Sequence, residues 1–108
     1  MTALADAWEP IDGIDDLDVG DKMEIVLKSG HAVLVLRSTD GVFACCADCP
    51  HQDSPLVEGT LDGTTLTCPV HFWQWDLRTG ASIGIAELPL PTYELRQTDE
   101  GWRIRRTR

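Results

Sequence analysis

Short apolar runs separated by glycine- and aspartate-bearing turns recur along this chain, a rhythm of strands rather than helices. Trp8 to Ile11 reads as a first strand, and the acidic stretch Asp12 to Asp21, with Gly13 and Gly20, as a loop or irregular turn. Met23 to Leu27 and His31 to Arg37 flank Lys28-Ser29-Gly30, a hairpin with β-branched residues on both arms. His31 opens the second arm and is expected to face solvent. Thr39-Asp40-Gly41 turns the chain into Val42 to Cys46, and Leu61 to Thr67 forms another hairpin through Asp62-Gly63. Trp75-Asp76-Leu77 then leads into an Arg78-Thr79-Gly80 turn. Pro89 and Pro91 confine Leu88 to Thr92 to an edge or a loop, because proline cannot donate to a ladder. Tyr93 to Gln97 and Trp102 to Arg106, joined by Thr98 to Gly101, close the chain as a hairpin. No segment sustains a helical period or carries a helix cap, and there are no repeats. The predicted fold is all-β: an antiparallel β-sandwich with a small subdomain, residues about 47–80, inserted in it.

At 108 residues the chain has room for one domain, 1–108, with a modest core. Its formal charge of −9 is uneven: residues 1 to 64 carry thirteen acids against three bases, and residues 65 to 108 five against six. That balance disfavours nucleic-acid binding, which needs a basic face. The arginines of Arg103-Ile104-Arg105-Arg106-Thr107-Arg108 read as a solvated strand edge and tail. The N-terminus has neither a basic n-region nor an apolar h-region, and no run could span a membrane, so a cytoplasmic location is expected. Of four cysteines, two adjacent ones, Cys45 and Cys46, make a disulfide framework unsuitable and a reducing compartment the expectation.

Candidate chemistry concentrates in two Cys-His pairs. Cys49-Pro50-His51 and Cys68-Pro69-Val70-His71 each place a thiolate and an imidazole on a short loop, and the proline after each cysteine restricts that loop. Two such loops facing each other suit a Rieske [2Fe-2S] centre, with two thiolates on one iron and two imidazoles on the other. Cys46 also lies three residues before Cys49, so Cys46, Cys49, Cys68 and His71 together approach the spacing of a structural zinc site, and a zinc-binding interaction module is the alternative from another class. Against zinc, His51 would lose its role, and Cys46 ends an apolar run, Val42-Phe43-Ala44-Cys45-Cys46, where a small buried cysteine is ordinary.

The run CPHQDSPLVEGTLDGTTLTCPVHFWQWDLRTG resembles Rieske ferredoxins and Rieske domains across both loops, the hairpin between them and the turn after them, about a third of the chain. The resemblance implies the Rieske fold, a cluster-binding subdomain at about 47–80, and one [2Fe-2S] cluster per chain held by Cys49, His51, Cys68 and His71. It also implies an electron carrier without catalysis of its own. Rieske proteins of the respiratory and photosynthetic cytochrome complexes carry an extra cysteine in each loop and hydroxyl residues beside the cluster. Here Ser54 and Val70 stand in place of those cysteines, and Trp73 and Trp75 in place of the hydroxyls. Fewer hydrogen bonds to sulfur put the expected potential toward the low end of the Rieske range, about −150 mV.

That class serves oxygenases, relaying electrons from an NADH-dependent flavin/iron-sulfur reductase to a terminal oxygenase hydroxylase. Cys49-Pro50-His51-Gln52 and His71-Phe72-Trp73 look most like the ferredoxins of di-iron toluene and alkene monooxygenases. A ferredoxin of an aromatic-ring dioxygenase and a nitrite reductase small subunit are the alternatives. Phe72 departs from the common His-Gly-Trp pattern, as a shield for the cluster or an apolar contact, while Gln52 suits a partner-facing amide or a loop cap. The resemblance further implies a monomer whose histidine edges form the electron exit, ringed by Gln52, Pro69 and Phe72, with Asp48, Asp53 and Glu58 as an acidic rim.

Overall fold

The computed structural model of the chain describes residues 8–49, 55–70 and 72–106. Ten strands follow in order: β1 (Glu9–Ile11), β2 (Lys22–Val26), β3 (Ala32–Ser38), β4 (Gly41–Cys46), β5 (Thr60–Asp62), β6 (Thr65–Thr67), β7 (Gln74–Asp76), β8 (Ser82–Ile83), β9 (Thr92–Thr98) and β10 (Gly101–Arg106). They form two antiparallel sheets, one of six strands in the order β1-β10-β9-β4-β3-β2 and one of four in the order β5-β6-β7-β8.

The β2–β3 hairpin pairs Lys22 with Leu36 through Val26 with Ala32. Its turn closes by Gly30 N–H donating to the Leu27 carbonyl at 2.8 Å, with Gly30 at φ 93°, where a Cβ would be strained. The six-stranded sheet curls until its edge strands approach, and the Lys28 amide just past β2 donates to the Glu9 carboxylate of β1 at 2.8 Å. Inside the curl lies one core, Ile11, Ile14, Val33, Val35, Ala44 and Ile104, lined also by Met23, Ile25, Leu95 and Trp102.

A second core fills the space between the outside of β3–β4 and the four-stranded sheet, where Leu34, Leu36 and Cys45 meet Leu66, Trp75 and Leu77. β3 is therefore a wall shared by two cores. Successive side chains of a strand point to opposite faces, so Val33 and Val35 serve one core while Leu34 and Leu36 serve the other. That is why Ala32 to Leu36 is unbroken by polar residues instead of alternating.

Two segments differ from the sequence expectation. The acidic stretch contains a 3-10 turn, Ile14–Asp16, whose Ile14 is fully buried. Tertiary partners hold it: Arg37 donates to the Ile14 carbonyl at 3.1 Å, and the Trp102 indole donates to Asp15 Oδ1 at 3.0 Å. Ile14, Leu17 and Val19 are too few in this acidic run to set a period, and nothing local marks Ile14 as the buried one. β8 was likewise not expected, because its two residues carry no alternation to read, and its pairing with β7 defines it. His31 lies one residue before β3 and is exposed, as expected, with its Nδ1 2.8 Å from Ser29 Oγ.

Two arginines of the basic end, Arg103 and Arg105, have partners within the fold. The Arg96 and Arg105 guanidiniums stack on the Trp8 ring at 4.6 and 4.5 Å, Arg105 also pairs with Glu94, and Arg103 with Glu100.

Candidate metal centre

Each cysteine of the two Cys-His pairs sits just beyond a strand end, at the neck of a loop. After β4, the Ala47 amide donates to the Ala32 carbonyl at 3.2 Å, and the returning Leu56 amide donates to the Ala47 carbonyl at 2.8 Å. Asp48 and Pro55 bridge across the same neck. Cys49 follows at once, directly after this paired backbone. After β6, the Cys68 amide donates to the Trp73 carbonyl at 2.8 Å, and the Phe72 amide to the Cys68 carbonyl at 3.1 Å. These two bonds close a tight turn over residues 68–73.

A close backbone approach joins the two loops. Gly59, where the first loop returns, lies so near β6 that a Cβ there would come 2.4 Å from the Thr67 carbonyl oxygen. Only a residue without a side chain lets the return of the first loop lie against the strand that delivers Cys68. Cys49 and Cys68 end up in one buried cluster, each 1% exposed, with Ala47, Leu56, Trp73 and Trp75. Trp73 and Trp75 meet edge to face, with ring centroids 6.3 Å apart. Both tryptophans are buried against the two cysteines' cluster.

His51 and His71 lie outside the described residues, as do Pro50, Gln52, Asp53 and Ser54. The fit to a cluster therefore rests on the thiols. A thiolate buried among apolar side chains is unfavourable unless a positive partner is bound, and coordination to iron supplies one. Cys45 shows the other outcome. Burial, reinforced by Cys46 beside it, pushes its thiol far above the ordinary range, so it stays protonated and inert. Cys45 lies within a strand, whereas Cys49 and Cys68 lie at loop necks. The four cysteines are thiols, not joined in disulfides.

Cys46 behaves differently from the buried residue expected. It is half-buried at the end of β4, and Cys45 takes the fully buried place. Among the described residues no three His, Cys, Asp or Glu side chains converge on a common metal position. Cys46, Cys49 and Cys68 are all described, so the trio that the zinc arrangement requires is not assembled.

The sequence of the Rieske [2Fe-2S] domain matches this chain over residues 7–94. The chain belongs to the Rieske [2Fe-2S] domain family. Its cofactor is a Rieske-type [2Fe-2S] cluster, and the two buried thiols suit it. Among curated relatives, the methanesulfonate monooxygenase ferredoxin subunit of Methylosulfonomonas methylovora is 36% identical over 87 residues, 79% of this chain and 71% of the relative. The ferredoxin component of the p-cumate 2,3-dioxygenase system of Pseudomonas putida is 35% identical over 92 residues, 83% and 76% of the two chains. That of the alkene monooxygenase system of Xanthobacter autotrophicus is 36% identical over 93 residues, 84% and 73%. A solved complex of reduced oxygenase and oxidised ferredoxin in carbazole 1,9a-dioxygenase contains a chain with the same fold, at TM-score 0.82 and 23% identity, covering 94% of this chain and 96% of that one. This Rieske protein is a ferredoxin of the oxygenase-system kind, an electron carrier rather than a catalytic component.

Phe72 is the one non-glycine residue with positive φ among those described, at 62°. That left-handed conformation costs a residue with a Cβ on the order of 1–3 kcal/mol. It also gives a physical reason for the glycine of the common His-Gly-Trp pattern. Sequence reasoning missed a second feature: Ile83, at the end of β8, and Ile85 and Leu88, in the segment that leaves it, are exposed. Apolar residues in a stretch interrupted by Gly84 and Pro89 were the available signal.

Proposed function

We propose that this chain carries single electrons from an NADH-dependent flavin/iron-sulfur reductase to the terminal di-iron hydroxylase of an aromatic or alkene monooxygenase, as a monomer in the cytoplasm. The observation that carries the reading is the burial of Cys49 and Cys68 at two clamped loop necks within one cluster of side chains. In this reading residues 47–80 form the cluster-binding subdomain, Cys49 and Cys68 hold one iron, and His51 and His71 the other. When bound, the cluster supplies one-electron oxidation and reduction. The chain's own work is to hold it and keep water from its thiolate side, which Ala47, Leu56, Trp73 and Trp75 are placed to do.

A low potential is supported by what the tryptophan beneath the loops does with its donor. Trp75 Nε1 is committed to the Leu88 carbonyl at 2.9 Å. It adds no hydrogen bond toward sulfur, so a potential near the low end of the Rieske range, about −150 mV, is expected.

The monooxygenase assignment draws on His71-Phe72-Trp73 and on the similarity to the alkene monooxygenase ferredoxin. The p-cumate relative favours a second reading, the ferredoxin of a ring dioxygenase. Reconstitution with NADH, a flavin reductase and either a di-iron hydroxylase or a ring dioxygenase tests both. Turnover with the hydroxylase is expected. Turnover with the dioxygenase alone moves the chain to the second reading, and no electron delivery to either oxygenase rejects both.

A further inference from the structure

Phe72 departs from two preferences at once. Its backbone is left-handed, which glycine would adopt without strain, and its ring is 67% exposed, which a phenylalanine ordinarily avoids. The turn imposing that backbone is set by the Phe72-to-Cys68 and Cys68-to-Trp73 hydrogen bonds, neither of which involves the ring. Among the described residues, no hydrogen bond or ring contact calls for an aromatic side chain at 72. The ring follows His71 directly in sequence, and so stands beside the ligand loop that any electron acceptor must approach.

Other apolar side chains share that end of the small sheet. β7 and β8 pair Gln74 with Ile83 and Trp75 with Ser82, so the chain leaving β8 runs back on the side from which Phe72 and Trp73 enter β7. Ile85 on that stretch is 68% exposed, and Val70 on the ligand loop is exposed as well. Asp48, Glu58 and Glu87 are exposed on the segments around them, on a chain whose net charge is −9. An apolar centre with an acidic surround suits a partner surface with an apolar recess and a basic margin.

We propose that Phe72, supported by Ile85, is a docking residue received by an apolar recess of the terminal oxygenase, and that its strained backbone is retained because glycine would remove the ring. The inference rests on the electron-carrier reading and deepens it. The oxygenase is the occupant because the relatives at 35–36% identity are ferredoxin parts of oxygenase systems, whose electrons end there.

The test uses the cluster-loaded protein and stopped-flow measurement of each half-reaction, reduction by the reductase and oxidation by the oxygenase that the native chain serves. Phe72→Gly is expected to raise the melting temperature, leave the visible spectrum and potential unchanged, and slow oxidation by the oxygenase about tenfold, at low and high salt alike. Phe72→Ala keeps the strained backbone, so it is expected to match the rate loss without the gain in melting temperature. Phe72→Leu should restore most of the rate. Ile85→Ser, which leaves the ligand loop untouched, is expected to slow the same step and covers the case in which the residue 72 variants fail to load. Unchanged oxidation rates in Phe72→Gly and Ile85→Ser, or slowing confined to reduction by the reductase, overturn the proposal while the carrier reading stands. A native chain that delivers no electrons to any oxygenase overturns the carrier reading instead.

Discussion

The Trp75 indole donates a hydrogen bond to the carbonyl of Leu88, 2.9 Å away, so the fully buried ring beneath the ligand loops also anchors the segment between β8 and β9. That segment is tied further along by Leu90 N–H donating to the Gly80 carbonyl at 2.9 Å and Cys46 N–H to the Pro91 carbonyl at 2.9 Å. One side chain thus couples the floor of the metal centre to the stretch that carries Ile85 and Leu88.

Trp75→Phe keeps most of the ring and removes the donor. It is expected to cost about 1–3 kcal/mol, the range for leaving one buried carbonyl without its partner. Faster hydrogen exchange at the Leu90 amide should accompany it. The reduction potential should not move, because this indole serves Leu88 and not a sulfur.

The cysteines should separate by position. Cys49→Ser and Cys68→Ser are expected to abolish the visible absorption of the cluster, whereas Cys46→Ser should keep it. Cys45 should resist thiol reagents in the native protein, since burial holds it protonated. Iron analysis and the absorption spectrum check the first three, and mass spectrometry after alkylation the last. Metal content that follows Cys46 and ignores His51 would return zinc to contention.

Gly59→Ala tests the contact that brings the loops together. Gly59 has φ −74°, an ordinary backbone value, so the penalty is steric alone: a methyl group driven to 2.4 Å from the Thr67 carbonyl. An overpacking cost of about 1–3 kcal/mol is expected, with reduced cluster retention. Gly63→Ala is the control. It meets nothing within 4 Å but has φ 60°, so it should cost about 1 kcal/mol through strain and leave iron content intact. Urea midpoints and iron-to-protein ratios read both.

Asp76 should give the small sheet an acid-side dependence. Its carboxylate accepts hydrogen bonds from the Arg78 side chain at 3.1 and 3.0 Å and from the Arg78 amide at 2.9 Å, and these, the side-chain bonds foremost, hold it below the ordinary aspartate range. A folded pKa below the unfolded one means that the stabilisation is complete above the unfolded value and is lost as pH falls through the folded value. The stability gap between the native chain and Asp76→Asn should therefore be widest at neutral pH and close as pH falls through the lowered folded value. A gap that stays constant across that range would remove Asp76 as the titrating group.

Asp48 and Glu58 are exposed at the base of the first loop, and their charge should act at long range. Reversing both to lysine is expected to slow electron delivery at low ionic strength and to matter little near ~0.5 M salt, where the screening length falls to a few ångströms. Equal rates for native and reversed proteins at low salt would make these acids a plain solvated face.

The turn glycines and the alternating runs were enough, in the sequence alone, for the all-β class and most strands, and the two Cys-His spacings, joined to the resemblance of the run around them, for the cofactor. Those features are local: a hairpin turn needs its glycine within a few residues, and a ligand pair needs its own loop. The zinc alternative was local too, and spacing could not dismiss it. Only the tertiary arrangement did so: Cys46 packs at the margin of the cluster that buries Cys49 and Cys68, yet the three do not converge on one metal position. Burial of Ile14, the pairing of β8, the two-sided burial of β3 and the left-handed backbone of Phe72 were likewise decided by partners distant in sequence or by hydrogen bonds closing a loop. No periodicity encodes such partners. The family resemblance marked Phe72 as unusual, and the folded turn showed why: its amide and that of Cys68 fix a backbone suited to glycine, while the ring is left outside.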